Sequence, residues 1–298
     1  MALPTSGALA SVANIKRVAQ EAERLEYAAL WTYERLLRPL AKIMPGADGQ
    51  LQRLPADYRE TYEPLETLSF VAGMTERIRL GTSIVDALFH APVVLARRYA
   101  TLDRLSGGRV IAGIGQGWMP QEFATANVPL KRRGAGFDEH VAAMRACWGP
   151  DPVEFHGRFY RIEASELNPK PVQEHLPIIV GANGEPGIRR AARIADGINP
   201  SAFGYEQVAA AVTTFRTAAA ELGRDAGSLP VIVRANVPIV AGPLGDGRPY
   251  LGGSPAEIAA DLKRLDEAGV DHVLFYNVAP DGIDNHLRLM AELRDRVG

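Results

Sequence analysis

The stretch LGTSIVDALFHAPVVLARRYATLDRLSGGRVIAGIGQGW, residues 80–118, holds one complete structural unit. It begins inside RLGTSIV (79–85), an apolar run of the length of a buried strand. Pro92 then takes the first position of a helix pattern, in which Val93, Val94, Ala96, Ala100 and Leu102 recur at helical spacing. RVIAGI (109–114) is a second apolar run. Strand, helix and strand in this order form the crossover that joins parallel strands. The same alternation continues outward in both directions. PIIV (177–180), PVIVRANVPIV (230–240) and HVLFY (272–276) read as further strands. Ile15, Val18, Ala19, Ala22 and Leu25 mark an early helix. A late helix runs from Ser254 to about Ala268, with Ser254 as N-cap, Pro255 at the first position and Glu257 completing a capping box.

The full series places strands near 2–4, 29–33, 78–85, 109–115, 178–181, 197–200, 231–239 and 272–276, each followed by a helix pattern. Eight such units fit a closed α/β (β/α)8 TIM barrel better than an open doubly wound sheet, the structural competitor. No break in composition divides the chain, so residues 1–298 are expected to form a single barrel domain. The length beyond a minimal barrel sits in residues 36–62, 151–177 and 241–253. The second of these contains EFHGRFYRI, a small hairpin turning at Gly157. The first and third follow strands and should rise over the C-terminal face, where barrel enzymes keep their sites.

Composition excludes several classes. The 298 residues carry 33 Lys and Arg against 35 Asp and Glu, a net charge of −2, which offers no field for nucleic acid or an anionic membrane. One cysteine, Cys147, cannot form an internal disulfide, so a cytoplasmic location is expected. The longest uncharged stretch, residues 1–15, falls short of the roughly 20 residues of a spanning helix. It also lacks the basic start of a signal peptide.

Motifs exclude more. GIGQGW (113–118) puts Trp118 where the third glycine of a dinucleotide fingerprint belongs. There is no Walker A loop and no GxSxG elbow. His90, His140, His156, His175, His272 and His286 show no ligand spacing, so each is expected to be structural or solvated, with no metal. Cys147 reads as a small buried residue. Glycines 113, 115 and 117 either leave room for something flat or serve tight barrel packing. GANGEP (181–186) leads into a helix whose N-terminal amides suit a phosphate, with a bare turn as the alternative.

Residues 80–118 resemble the central block of the bacterial luciferase-like superfamily, and more closely its coenzyme F420-dependent oxidoreductase branch. The resemblance continues through VPLKRRGAGFDEHVAAMRACW (128–148), FHGRFYRIEASELNPKPVQ (155–173) and PIIVGANGEPGIRRAARIADG (177–197). The family fold is a (β/α)8 barrel, in agreement with the count of units. The resemblance implies a flavin or deazaflavin at the barrel mouth. Ser83 and Ile84 match a non-prolyl cis peptide that buttresses the ring. Gln116, Gly117 and Trp118 match the segment beside it. Arg133 matches an arginine that reaches the cofactor phosphate, and Gly181, Ala182, Asn183 and Gly184 match the phosphate-binding turn.

Two departures from the family pattern bear on chemistry. Many relatives end the second strand in Asp-His, whereas WTYERLL puts Glu34 and Arg35 there. Glu34 could take over proton handling if burial favours its protonated form, or both residues could pair with other charges. Trp118 stands where the sugar-phosphate dehydrogenase branch has a catalytic glutamate. The start MALPTSG is also short beside relatives, which suggests a truncated first strand. Trp31 and Trp148 are expected in packing, and Tyr33, Glu34, Trp118 and residues 36–62 on the substrate side.

The function expected from the resemblance is hydride transfer between F420 and a small organic substrate. Alternatives are an FMN-dependent monooxygenase, which would need a flavin reductase partner, and a non-catalytic flavin-binding protein. Barrels of this family often pair as homodimers. At a net charge of −2, an acidic cofactor would be held by local arginines and backbone amides.

Overall fold

The computed structural model describes residues 1–45 and 49–297. Parallel strands Ala29–Thr32, Arg79–Thr82, Val110–Gly115, Ile178–Gly181 and Gly197–Asn199 pair in that order. Ile232–Val237 and His272–Asn277 make a further parallel pair. Backbone bonds close these into a ring. On one side Ile198 N donates to Pro230 O at 3.0 Å and Arg234 N to Pro200 O at 2.8 Å. On the other, residues 1–4 supply the first stave. Ala2 N donates to Phe275 O and Leu3 N to Trp31 O, both at 2.8 Å, and Trp31 N donates to Met1 O at 3.1 Å. The expected (β/α)8 barrel is therefore present, and its short first stave bonds to both neighbours.

The strands are apolar on both faces because both are covered. Ala29, Trp31, Ile111, Ile179, Ile232 and Leu274 point inward and fill the barrel. Their alternating neighbours, among them Leu30, Leu80, Ala112, Val180 and Val233, meet the helices outside. The Trp31 indole fits inside because its register partner is Gly81, where a Cβ would lie 2.3 Å from the ring. Trp31 thus belongs to packing, as expected. Cys147 is fully buried, and burial pushes its thiol up to about 11.

Among the described residues, eight helices of nine or more residues surround the ring, from Val12–Arg24 to Ile283–Val297. Val12–Arg24 buries Ile15, Val18, Ala19 and Ala22, the periodic set. Pro92–Ser106 opens on proline, and Pro255–Glu267 carries the full Ser254–Glu257 capping box. The SGGR turn is a brace at the N-terminal end. Fully buried Asp103 accepts from Val172 N at 2.8 Å and Gln173 N at 3.0 Å, tying the helix to the incoming chain.

Val153–His156 and Arg161–Ser165 form the hairpin expected around Gly157. Residues 36–45 and 49–62 fold over the C-terminal face with a short antiparallel pair, Met44–Pro45 with Leu51–Gln52, and a 3-10 turn, Ala56–Arg59. Part of that loop, 46–48, lies outside the described residues. No helix among the described residues is long and apolar enough to cross a membrane.

Candidate active site

After Arg79–Thr82 the chain makes a bulge at the barrel mouth. The Ser83–Ile84 peptide is cis, as the resemblance implied, and pairing resumes at Val85–Asp86. Ile84 lies across two strands that present glycine beneath it. A Cβ would stand 2.6 Å from its Cδ1 at Gly115 and 3.1 Å from its Cγ2 at Gly181. At Gly113 a Cβ would lie 1.7 Å from Thr82 O. Glycines 113 and 115 thus serve close packing of the bulge, the second of the two readings. Gly117, at φ +73°, is pressed by the rings of Phe89 and Phe123. Ser83 Oγ donates to Asn199 Oδ1 at 2.6 Å, which anchors the bulge across the ring.

A buried charged cluster stands beside the bulge. Glu34, 7% exposed, accepts from Asp86 N through Oε2 at 2.7 Å, and its Oε1 meets His90 Nε2 at 2.7 Å. Arg35 turns the other way and donates to Glu122 Oε2 at 2.9 Å. Glu122 is fully buried and also accepts from Leu36 N at 2.9 Å. The pairing alternative is therefore realised: Glu34 bonds His90, and Arg35 pairs with Glu122. Burial pushes Asp86 up to about 7, and the Glu34 and Glu122 carboxylates push in the same direction. Gly117 N donates to Asp86, so this carboxyl braces the GIGQG turn. Burial also raises Glu122, against the pull of Arg35.

The residues matched to the cofactor lie on the rim of the central strands. Gln116 Oε1 accepts from Gly134 N at 2.6 Å, which fixes the turn carrying Arg133. Arg133 is exposed and has no side-chain partner among the described residues. Gly181 closes its strand, and Gly184 is the N-cap of Glu185–Ile194 without a side-chain cap. Asn183 Oδ1 accepts from Ser201 N at 2.7 Å, which orders the turn. The amides of Asn183, Gly184 and Glu185 find no acceptor among the described residues. A phosphate would complete them.

Trp118 is 48% exposed, and the Arg35 guanidinium lies 5.6 Å from its ring centre. Tyr33, buried, stands edge-on to Tyr58 and Tyr276. Tyr33, Trp118 and the 36–62 loop thus share the mouth with Arg35. Among the described residues no group of three or more His, Cys, Asp or Glu could hold a metal ion.

Four residues of the mouth escape a reading of the sequence: Asp86, His90, Glu122 and Arg234, whose guanidinium donates to Ser83 O and lies over the Tyr33 ring. Two carried a signal. Asp86 interrupts the apolar run after Ile84 and Val85, and Arg234 sits inside PVIVRANVPIV. A charge within a buried strand needs a reason. Glu122 and His90 carried none.

Residues 2–242 match the family model described as luciferase-like monooxygenase. An uncharacterised protein of Mycobacterium tuberculosis is 42% identical over 146 residues, 48% of this chain and 52% of that protein. The chain thus spans about half the length of this relative. The F420-dependent glucose-6-phosphate dehydrogenase of Nocardia farcinica is 37% identical over 138 residues, 45% of this chain and 41% of that enzyme. Among solved structures, the monooxygenase RslO1 from Streptomyces bottropensis superposes with a TM-score of 0.78 at 22% identity, covering 96% of this chain and 92% of its own.

Proposed function

The chain belongs to the luciferase-like monooxygenase family, and from that premise we propose that it is an oxidoreductase moving a hydride between coenzyme F420 and a small organic substrate. The Ile84 seat carries this reading. An aliphatic side chain held over Gly115 and Gly181 at the barrel mouth gives a planar ring an apolar surface to lie on. The free amides of residues 183–185 and the unpartnered Arg133 suit the phosphate of such a cofactor. The named F420-dependent relative favours the deazaflavin over FMN.

When bound, F420 supplies two-electron hydride chemistry at its ring. The chain's own residues orient and shield. Asn199 and Arg234 fix Ser83, and Asp86 fixes Gly117, so both sides of the seat are held from behind. Glu34 Oε1 and His90 Nε2 stand 2.7 Å apart, the reach that general acid–base work needs. Trp118 and the 36–62 loop cover the substrate side.

Fluorescence titration of the purified protein with F420 and with FMN, side by side, tests the reading. F420 is expected to bind in the micromolar range and more tightly than FMN. Binding of FMN alone would sink the proposal and leave the FMN-dependent reaction.

A further inference from the structure

Arg234 is a cation at the barrel mouth with no anion to meet it. It occupies the third position of Ile232–Val237, and its side chain crosses the ring to the opposite strand. One Nη donates to Ser83 O, and Nε donates to Asn236 Oδ1 at 2.9 Å. The guanidinium carbon stands 5.0 Å from the Tyr33 ring centre. No carboxylate pairs with it among the described residues. The carboxylates of the neighbouring cluster are committed elsewhere: Glu122 holds Arg35, and Glu34 holds His90 and the Asp86 amide. The titratable groups that bear on Arg234 are the phenols of Tyr33, Tyr58 and Tyr276 and a second guanidinium, Arg35. Arg35 itself has a buried Nε without a hydrogen-bond partner. Of the two guanidiniums, Arg35 therefore has a carboxylate in Glu122 and Arg234 has none.

Arg234 is half-buried at the mouth, and a guanidinium that gives up water there without a counter-ion is kept where a ligand supplies the charge. We propose that the substrate carries a carboxylate-class anionic group, which seats on Arg234 between Tyr33, Tyr58 and Tyr276. Calling the anion a substrate rests on the oxidoreductase reading. That reading gives the cofactor phosphate to the amides of residues 183–185 and Arg133, in loops that follow other strands of the barrel. The seat itself does not depend on it.

The test is calorimetric titration of the cofactor-free protein with benzoate and its neutral isostere benzamide at constant ionic strength. Benzoate should bind at least about tenfold more tightly, as a charge-assisted bidentate contact requires. Arg234→Gln should erase that preference, while Arg133→Gln should leave it intact. Arg234→Lys keeps the charge without the planar fork and should retain the preference at lower affinity; it serves also if Arg234→Gln fails to fold. Equal binding of the two probes by the wild type, or a preference surviving in folded Arg234→Gln, overturns the proposal. Weaker F420 binding by Arg234→Gln with benzoate discrimination unchanged would assign the anion to the cofactor and overturn it as well. The benzoate arm contains no F420, so failure of the cofactor reading shows up separately.

Discussion

Asp86 shows how much one side chain can report about its surroundings. Its carboxyl is 4% exposed, faces Glu34 and Glu122, and is pushed up to about 7 by burial first and those carboxylates second. In the unfolded chain it would titrate near 4. The folded state therefore holds the proton more firmly. The stability this contributes is complete below about pH 4 and is lost as pH rises through 7. Asp86→Asn keeps an acceptor for Gly117 N without the charge. It should gain about 1–3 kcal/mol over the wild type on moving from pH 5 to pH 8, measured by urea unfolding at both values. An identical difference at the two pH values would mean that Asp86 is charged throughout. Legibility at this scale was uneven. Ser83, Ile84, Gln116, Arg133 and the 181–184 turn were read from contiguous motifs, and the structure places all of them at the mouth. Their roles toward a cofactor remain part of the proposal. Asp86 and Glu122 gain their meaning from partners 52 and 87 residues away, which no local motif records.

Elements are decided by close approach. The Val110–Gly115 strand presses against the bulge so tightly that backbone meets backbone at Gly113. Gly113→Ala would force a Cβ against Thr82 O at 1.7 Å, and no flexible side chain is there to yield. The variant should lose more than about 3 kcal/mol, or fail to accumulate as soluble protein. Gly242→Ala, where nothing lies within 4 Å, should stay within about 0.5 kcal/mol of the wild type. Equal yields and equal urea midpoints would show that the bulge can shift aside. The family-like run ending in SGGR proves at this scale to be scaffold. Asp103 and its amide partners hold the barrel's N-terminal end, far from the mouth. The most recognisable stretch of the chain thus mixes a brace with a site.

The whole molecule holds three histidines in neutral form, His140 and His286 buried and His272 half-buried. Burial lowers His272 to about 3, and His140 and His286 to about 4. Trp31 Nε1 donates to His272 Nε2 at 3.3 Å, a contact that requires the unprotonated ring. In the unfolded chain each would take up a proton near pH 6.5. Their contribution is therefore complete above that value and is lost as pH falls toward 4. Asp86 works in the opposite sense and cancels about one of the three protons. Near pH 5 these four groups together bind about two protons on unfolding, and their joint contribution to stability should fall by about 2.7 kcal/mol for each unit by which pH is lowered. Chemical unfolding across pH 4–7 measures that slope, and a flat profile would contradict the buried neutral rings.

What the sequence determined by itself was the barrel. Apolar strand runs and helix periods are local signals, and eight of them in alternation leave few ways to bury every strand on both faces. The seat beneath Ile84 was partly legible for the same reason, since its residues lie in short continuous motifs. Only the tertiary structure decided which charges meet. Glu34 faces His90, Arg35 faces Glu122, and Arg234 crosses the ring to Ser83 over 151 residues of chain. Such pairings depend on where opposite sides of a closed ring fall. No periodicity along the chain encodes that distance, which is why the unpaired guanidinium came to light only in the folded molecule.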